Sequence, residues 1–216
     1  MVQNTAAAVS AYSLRAMADF RCKIVEMHLD GMLLRIDGQE LWVGLLGRFN
    51  AYNLLAVYGA AVLLGLDRGE VLRVLSMLHA VSGRFEKVRA ANGTTAIVDY
   101  AHTPDALVNV LDTIRDIVGT SGRILTVVGA GGNRDHGKRP MMAREAATRS
   151  DLLFLTSDKP RFEEPDAIIA DMRAGLDDRQ AATATCVTDR REAIREAIAQ
   201  ARPGDVVLIA GKGHEN

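Results

Sequence analysis

The sequence has few cysteines, no long apolar run and almost no net charge. Its two cysteines, Cys22 and Cys186, form no Cys-x-x-Cys pair, so neither a zinc site nor a disulfide framework is predicted. No apolar run reaches the ~20 residues of a membrane-spanning helix, so no membrane contact is expected. A net charge of −1 provides no positive field for nucleic acid. These features predict a cytoplasmic protein with reduced thiols and no nucleic-acid partner.

The first part of the chain is predicted to be an antiparallel sheet followed by helices. Short apolar segments between residues 22 and 43 are separated by Asp-Gly pairs at 30–31 and 37–38, which are typical of hairpins. An apolar helix follows the segment 47–53. Asp67 is predicted to cap the next helix.

The second part alternates between strands and helices. The predicted strands are 94–99, 123–128, 152–156, 183–187 and 206–210, and the predicted helices are 104–118, 140–149, 165–176 and 190–202. Strands that are nearly all apolar and are separated by helices indicate a parallel sheet covered on both faces. The sequence therefore predicts a doubly wound α/β domain that binds its ligands at the carboxyl ends of the strands.

A glycine-rich stretch, 129–140, lies between a predicted strand and a predicted helix. Such a turn directs backbone N–H groups and the positive end of a helix dipole to one place, and Arg134, Lys138 and Arg139 add positive charge. The stretch is one residue short of a P-loop, and Arg139 stands where a Ser or Thr would bind magnesium. We therefore expect an anion-binding turn and not a nucleoside-triphosphate site.

Three other polar loops follow predicted strands, at 99–104, 156–161 and 211–215. Together with the glycine-rich turn they are expected to converge on one cleft, because parallel strands share a carboxyl edge. Arg161 is interpreted as a clamp for a carboxylate, and the alternative is a rigid proline turn with solvated charges.

Several polar residues have two possible roles at this stage. Asp99 either caps the helix that begins near Pro104 or binds a ligand. Asn50 and Asn53 either cap a helix or read a purine edge or a phosphate. Glu215 is either a surface charge or the partner of a substrate ammonium.

Six segments, taken in order, resemble motifs of the Mur ligase family. They are Gly47-Arg-Phe-Asn-Ala-Tyr-Asn53, Gly83-Arg-Phe-Glu86, Asp99-Tyr-Ala-His-Thr-Pro104, 131–140, Ser157-Asp-Lys-Pro-Arg161 and Gly211-Lys-Gly-His-Glu215. The resemblance covers the chain from about residue 12 to its end. It implies that residues 89–216 are a Rossmann-like, amino-acid-binding ligase domain with a mostly parallel sheet. Residues 1–88 would be the C-terminal part of a central ATP-binding domain.

The resemblance implies an activity for a longer protein. It is an ATP-dependent amide ligase, with Mg²⁺ as cofactor, that adds a diamino acid to UDP-MurNAc-L-Ala-D-Glu through an acyl phosphate in peptidoglycan synthesis. The partners would be these small molecules. The chain is expected to be a fragment that lacks the P-loop and the catalytic and metal-binding residues, and therefore to be inactive alone. The alternatives are a lysine-adding ligase, a ligase like folylpolyglutamate synthase, or a non-catalytic amino-acid-binding module.

The matching motifs imply two sets of binding residues. Contacts with ATP are implied for Asn50, Asn53, Arg84, Asp99 and His102. Contacts with the amino acid are implied for Arg134, Asp158, Lys159, Pro160, Arg161, Gly211 and Glu215. Arg161 favours a second substrate carboxylate, and so diaminopimelate over lysine. The family motif has Asn at the position of Lys159, which leaves that choice open.

Overall fold

A computed structural model describes residues 5–213 and divides the chain into two compact units between Ala80 and Val81. This division lies a few residues before the predicted domain boundary. No helix within the described residues is both long and apolar enough to cross a lipid bilayer.

The first unit consists of a four-stranded sheet and two helices. The strands are β1 (Tyr12–Ser13), β2 (Phe20–His28), β3 (Gly31–Ile36) and β4 (Gln39–Val43), and the helices are α1 (Arg48–Leu63) and α2 (Arg68–Ser76). The strands lie in chain order, and β2, β3 and β4 pair antiparallel, as predicted. Asp37 and Gly38, with φ of 46° and 88°, form the tight turn between β3 and β4. The Asp67 carboxylate caps α2 by accepting a hydrogen bond from the Glu70 N–H.

The second unit is the doubly wound α/β domain that the sequence predicted. Its strands are β5 (Glu86–Arg89), β6 (Thr95–Asp99), β7 (Ile124–Ala130), β8 (Leu152–Ser157), β9 (Thr185–Val187) and β10 (Val206–Ala210). Its helices are α3 (Pro104–Val118), α4 (Lys138–Arg149), α5 (Pro165–Arg173), α6 (Asp178–Thr183) and α7 (Arg190–Gln200). The strand order is β5-β6-β10-β7-β8-β9, and only the pair β5–β6 is antiparallel.

The core of the second unit lies around β7, in which every residue is buried. Leu125 and Val127 of β7 and Phe154 of β8 pack with Ala193 and Ala197 of α7. The two alanines place the backbone of α7 close to the sheet. This packing is typical of parallel strands that are covered by helices.

Two elements of this unit were not predicted from the sequence. The strand β5 is short and lies at the edge of the sheet, so it has no strong apolar pattern. The helix α6 has no buried residue, and therefore no apolar periodicity, although Asp177 and Gln180 form a capping box at its start. Because α6 extends to Thr183, the strand β9 is shorter than the predicted 183–187.

The two cysteines are expected to react at very different rates with a thiol reagent. Cys22 is 3% exposed, and burial raises the pKa of its thiol to about 11, whereas Cys186 is exposed. In Ellman's assay one thiol should therefore react quickly in the native protein and both should react in urea. Cys186→Ser should remove the fast phase and Cys22→Ser should keep it. Two equally fast thiols in the native protein would contradict the burial of Cys22.

Candidate functional site

The carboxyl ends of four parallel strands, β6, β7, β8 and β10, surround a cleft of about 550 Å³ in the second unit. Six of the residues proposed for binding line it: His102, Arg134, Asp158, Lys159, Arg161 and Gly211. The four polar loops therefore meet at one edge of the sheet, as the predicted topology required.

The glycine-rich turn is bound tightly to the loop after β8. The N–H of Gly132 donates to the carbonyl of Lys159 at 2.9 Å, and the N–H of Phe162 donates to the Asn133 side chain at 3.1 Å. A Cβ atom on Gly132 would lie 1.8 Å from the carbonyl oxygen of Pro160, so only glycine allows this approach. The two loops that present Arg134 and Arg161 are thus held together by hydrogen bonds and by the close approach of their backbones.

Arg139 lines the cleft, but its guanidinium is already paired with two carboxylates. Its side chain is 2% exposed, and its Nη1 lies 2.8 Å from a carboxylate oxygen of Glu163 and 2.8 Å from one of Asp171. Its Nη2 donates to the carbonyl of Gly131 at 3.3 Å. Arg139 belongs to the cleft wall, as predicted, but its charge is paired with these two carboxylates inside the protein. Arg139 instead joins the glycine-rich turn to α5.

The backbone N–H groups of the turn were predicted to converge on an anion, and this is also wrong for five of them. They donate within the protein: Gly132 to Lys159 O, Asn133 to the Glu163 carboxylate, Gly137 to the Asp135 carboxylate, Lys138 to Asp135 O and Arg139 to His136 O. Side chains therefore supply most of the positive charge at the cleft. Arg134 and Lys138 of this turn line the cleft, and so do Lys159 and Arg161.

Glu163 should make the free energy of unfolding of the second unit depend on pH in the acid range. Hydrogen bonds from Arg139 and from the N–H of Asn133 lower its pKa from 4.5 to about 2. A lowered carboxyl pKa stabilises the fold above the unfolded-state pKa, and this contribution disappears as the pH falls toward 2. Glu163→Gln should therefore be less stable than the unmodified chain at pH 7, and the difference should shrink between about pH 4.5 and pH 2.

Urea midpoints measured at several pH values test this dependence. Glu164→Gln is the matched control, because the Glu164 side chain makes no capping hydrogen bond at the start of α5. A stability difference between Glu163→Gln and the unmodified chain that stays constant from pH 7 to pH 3 would contradict the account.

Asp99 is buried and is bonded through both carboxylate oxygens. It accepts hydrogen bonds from the N–H of Phe85 and the N–H of Ala101, each at 2.8 Å. Burial raises its pKa, although these two bonds oppose the rise. The alternative that Asp99 caps α3 is wrong, because the side chain of Thr103 is the cap. Asp99 instead binds the segment that carries Arg84.

Three aromatic or cationic side chains contact one another next to the cleft. The guanidinium of Arg84 lies 5.0 Å from the ring centre of Tyr100, and the ring of His102 lies 4.7 Å from that of Tyr100. Tyr100 lines the cleft with His102. Sequence reasoning missed Tyr100 as a site residue, although it lies inside the motif 99–104.

Asp158 is engaged by a residue that the sequence analysis did not assign to the site. Lys212 Nζ lies 3.0 Å from Asp158 Oδ1, and the Asp158 side chain is 16% exposed. Lys212 belongs to the polar loop after β10, so that loop was the available signal.

Three more of the proposed residues do not line the cleft. Asn50 and Asn53 are in α1 of the first unit, where the Asn50 amide donates to the carbonyl of Leu46 at 2.7 Å. Pro160 contacts Gly132 through its carbonyl group. Glu215 lies outside the described residues.

A metal site does not emerge from the part of the chain that the structure describes. In residues 5–213 no group of three or more His, Cys, Asp or Glu side chains is arranged to hold an ion.

Comparisons with known proteins identify the family. A UDP-N-acetylmuramoyl-L-alanyl-D-glutamate–2,6-diaminopimelate ligase of Parabacteroides distasonis is 61% identical over 216 residues, which are 100% of this chain and 44% of that protein. A solved structure of a ligase with that name is 39% identical with a TM-score of 0.65, over 96% of this chain and 43% of the other.

A more distant structure shares only the fold. The UDP-N-acetylmuramate–alanine ligase of Thermotoga maritima is 20% identical with a TM-score of 0.70, over 94% of this chain and 44% of the other. The chain thus spans less than half the length of these relatives. Residues 83–213 match the family model described as Mur ligase, glutamate ligase domain. The chain therefore belongs to the Mur ligase family.

Proposed function

We propose that the cleft binds the diamino acid substrate of an ATP-dependent ligase, and that the substrate is meso-2,6-diaminopimelate. The observation that carries this proposal is the group of cations Arg134, Lys159 and Arg161, which line one cleft on interlocked loops. Arginine side chains bind carboxylates through paired, charge-assisted hydrogen bonds. A substrate with two carboxylates gives this group two anions to bind.

The charge of the cleft favours diaminopimelate over lysine. Cations outnumber acids along its wall, and one of the two acids, Asp158, is already next to Lys212. Lysine carries a net positive charge at neutral pH and offers one carboxylate, whereas diaminopimelate is neutral overall and offers two. The lysine at position 159, where the family motif has asparagine, adds to this preference. The names of the relatives that are 61% and 39% identical support the same substrate.

In the proposed reaction, ATP phosphorylates the terminal carboxylate of UDP-MurNAc-L-Ala-D-Glu. The amine of diaminopimelate then attacks the acyl phosphate, so that an amide forms, phosphate leaves and the amine loses a proton. The residues of this chain would hold the amino acid by its carboxylates and thereby direct its amine at the acyl phosphate. The cytoplasmic setting predicted from the composition is also part of the proposal.

ATP contacts by Asn50, Asn53, Arg84, Asp99 and His102 also belong to the proposal. The geometry supports different roles within this set. Arg84 offers a cation against the Tyr100 ring and His102 a ring at the cleft, whereas Asp99 has both carboxylate oxygens bonded to backbone N–H groups. Asp99 would therefore support Arg84 and bind nucleotide only if those bonds rearrange. Because the described residues form no metal-binding group, no step is assigned to Mg²⁺.

For the domains, we propose that residues 1–88 end a central ATP-binding domain and that residues 89–216 bind the amino acid. A non-catalytic amino-acid-binding module is the second candidate for this 216-residue chain taken alone, because the cleft is contained within the second unit.

A ligase assay tests the proposal. The longer protein would be incubated with ATP, UDP-MurNAc-L-Ala-D-Glu and either diaminopimelate, L-lysine or L-glutamate, and the product and ADP would be measured. We expect kcat/KM for diaminopimelate to exceed that for L-lysine by about 100-fold or more. The 216-residue chain alone should bind diaminopimelate without releasing ADP. Equal turnover of lysine or glutamate would overturn the substrate assignment.

A further inference from the structure

Arg190 is the first residue of α7, and its guanidinium is buried at the end of β10. Its Nη2 donates to the carbonyl of Ala210, the last residue of that strand. Its Nε and Nη1 are buried and have no hydrogen-bond partner among residues 5–213. Native proteins rarely leave buried donors in this state, and such groups often mark functional sites. Nothing in the proposed reaction uses Arg190.

The acid whose charge acts on Arg190 is Asp158, which lines the cleft and directly follows β8. Burial lowers the pKa of Arg190, and the charge of Asp158 opposes that effect, so the two groups interact electrostatically. Asp158 Oδ1 is buried, and its short contact is with Lys212 Nζ at 3.0 Å. One carboxylate of the cleft wall is thus influenced by two cations, Arg190 and Lys212.

The carbonyl that Arg190 binds lies next to the cleft. Gly211 follows Ala210, lines the cleft with a φ of 87°, and donates its N–H to the carbonyl of Asp99 at 2.9 Å. Arg190 itself is absent from the cleft wall among the described residues. Arg190 therefore contacts the end of β10 without lining the cleft. Its charge acts on Asp158, which follows β8.

We propose that Arg190 is a positioning residue for the amino-acid cleft, which holds the end of β10 through the Ala210 carbonyl and orients the Asp158 carboxylate at the end of β8. If the Asp158 carboxylate turned toward α7, it could accept hydrogen bonds from Nε and Nη1 of Arg190, the two donors that have no partner among residues 5–213. The consequence for the amino acid rests on the proposed function, but the coupling between Arg190 and Asp158 does not.

The proposal predicts that Arg190 and Asp158 act as one unit. Arg190→Met keeps an unbranched apolar stem and removes the donors and the charge. It should weaken meso-diaminopimelate binding roughly tenfold. Asp158→Asn should have an effect of similar size, and the double variant should be little worse than either single variant. In the longer protein, Arg190→Met should raise the KM for diaminopimelate and leave the KM for ATP unchanged.

The test is a double-mutant cycle on the full chain, with urea midpoints and calorimetric titration of meso-diaminopimelate as its two readouts. Arg191→Met is the matched control, because Arg191 is the next residue of α7 and is exposed. Arg190→Lys, which keeps the charge but not the planar fork, should recover part of the binding. If Arg190→Met does not fold, Arg190→Lys and Asp158→Asn complete the cycle.

Two results would overturn the proposal. The first is that Arg190→Met behaves like Arg191→Met in both readouts. The second is that the effects of the Arg190 and Asp158 substitutions on the urea midpoint simply add, since independent sites give additive effects. If the unmodified chain does not bind diaminopimelate, the proposed function fails, and the urea midpoints alone decide whether Arg190 acts through Asp158.

Discussion

Replacing Arg139 with methionine is expected to lower the free energy of unfolding of the second unit by about 3 kcal/mol. The guanidinium is enclosed by the protein and lies 2.8 Å from carboxylate oxygens of both Glu163 and Asp171. Methionine fills much of the same volume but leaves the two acids without their cation. Removing one partner of a buried ion pair usually destabilises a protein strongly, because the remaining charge has lost its counter-ion.

The loss should be measurable as a shift in the urea unfolding transition. Lys138→Met is the matched control, because Lys138 is the preceding residue and its side chain is half exposed, with Asp135 Oδ2 at 4.0 Å. That change should alter the free energy of unfolding by less than about 0.5 kcal/mol. The double variant Arg139→Met/Glu163→Gln should be less destabilised than Arg139→Met alone, because one unpaired carboxylate is gone. Equal stability of the Lys138 and Arg139 variants would contradict the central role of Arg139.

Replacing Arg161 with alanine is expected to weaken diaminopimelate binding by about 30-fold, which corresponds to ~2 kcal/mol. Arg161 lines the cleft on a loop whose carbonyl at Lys159 accepts the hydrogen bond from Gly132. The backbone of Arg161 has a left-handed conformation with φ of 56°. Arg134→Ala should give a loss of similar size, because each arginine would bind one carboxylate of the ligand.

Two control variants separate charge from geometry. Arg161→Lys keeps the positive charge but cannot bind a carboxylate through a planar fork, so it should bind diaminopimelate less tightly than the unmodified chain and more tightly than Arg161→Ala. Arg179→Ala removes an exposed arginine of α6 that does not line the cleft, and it should leave the Kd unchanged. The assignment would be wrong if Arg161→Ala bound diaminopimelate as tightly as Arg179→Ala.

The type of fold could be predicted because apolar strands and helices alternate regularly after residue 94. The order of the strands could not be. The last strand, β10, lies between β6 and β7, and this placement depends on packing between segments far apart in the chain. The helix α6 was missed because it buries no side chain, and its capping box was the only local signal. The strand β5 was missed for a similar reason, since it lies at the edge of the sheet and its residues need no apolar pattern.

The position of the site could be predicted for a topological reason, because the loops after parallel strands meet at one edge. The roles of individual cations could not. Arg139 follows the glycine-rich turn just as Lys138 does, yet its partners Glu163 and Asp171 lie 24 and 32 residues further along the chain. Spacing within a motif carries no information about such partners. The predicted helix 190–202 likewise gave no sign that the guanidinium of Arg190 is buried against β10.

Calorimetric titration of the 216-residue chain with meso-diaminopimelate, L-lysine and L-glutamate tests the central claim most directly, namely that this cleft selects a diamino acid with two carboxylates. We predict that diaminopimelate binds at least about tenfold more tightly than either of the other two, and that this preference disappears in Arg161→Ala. Equal and weak binding of all three amino acids would contradict the claim.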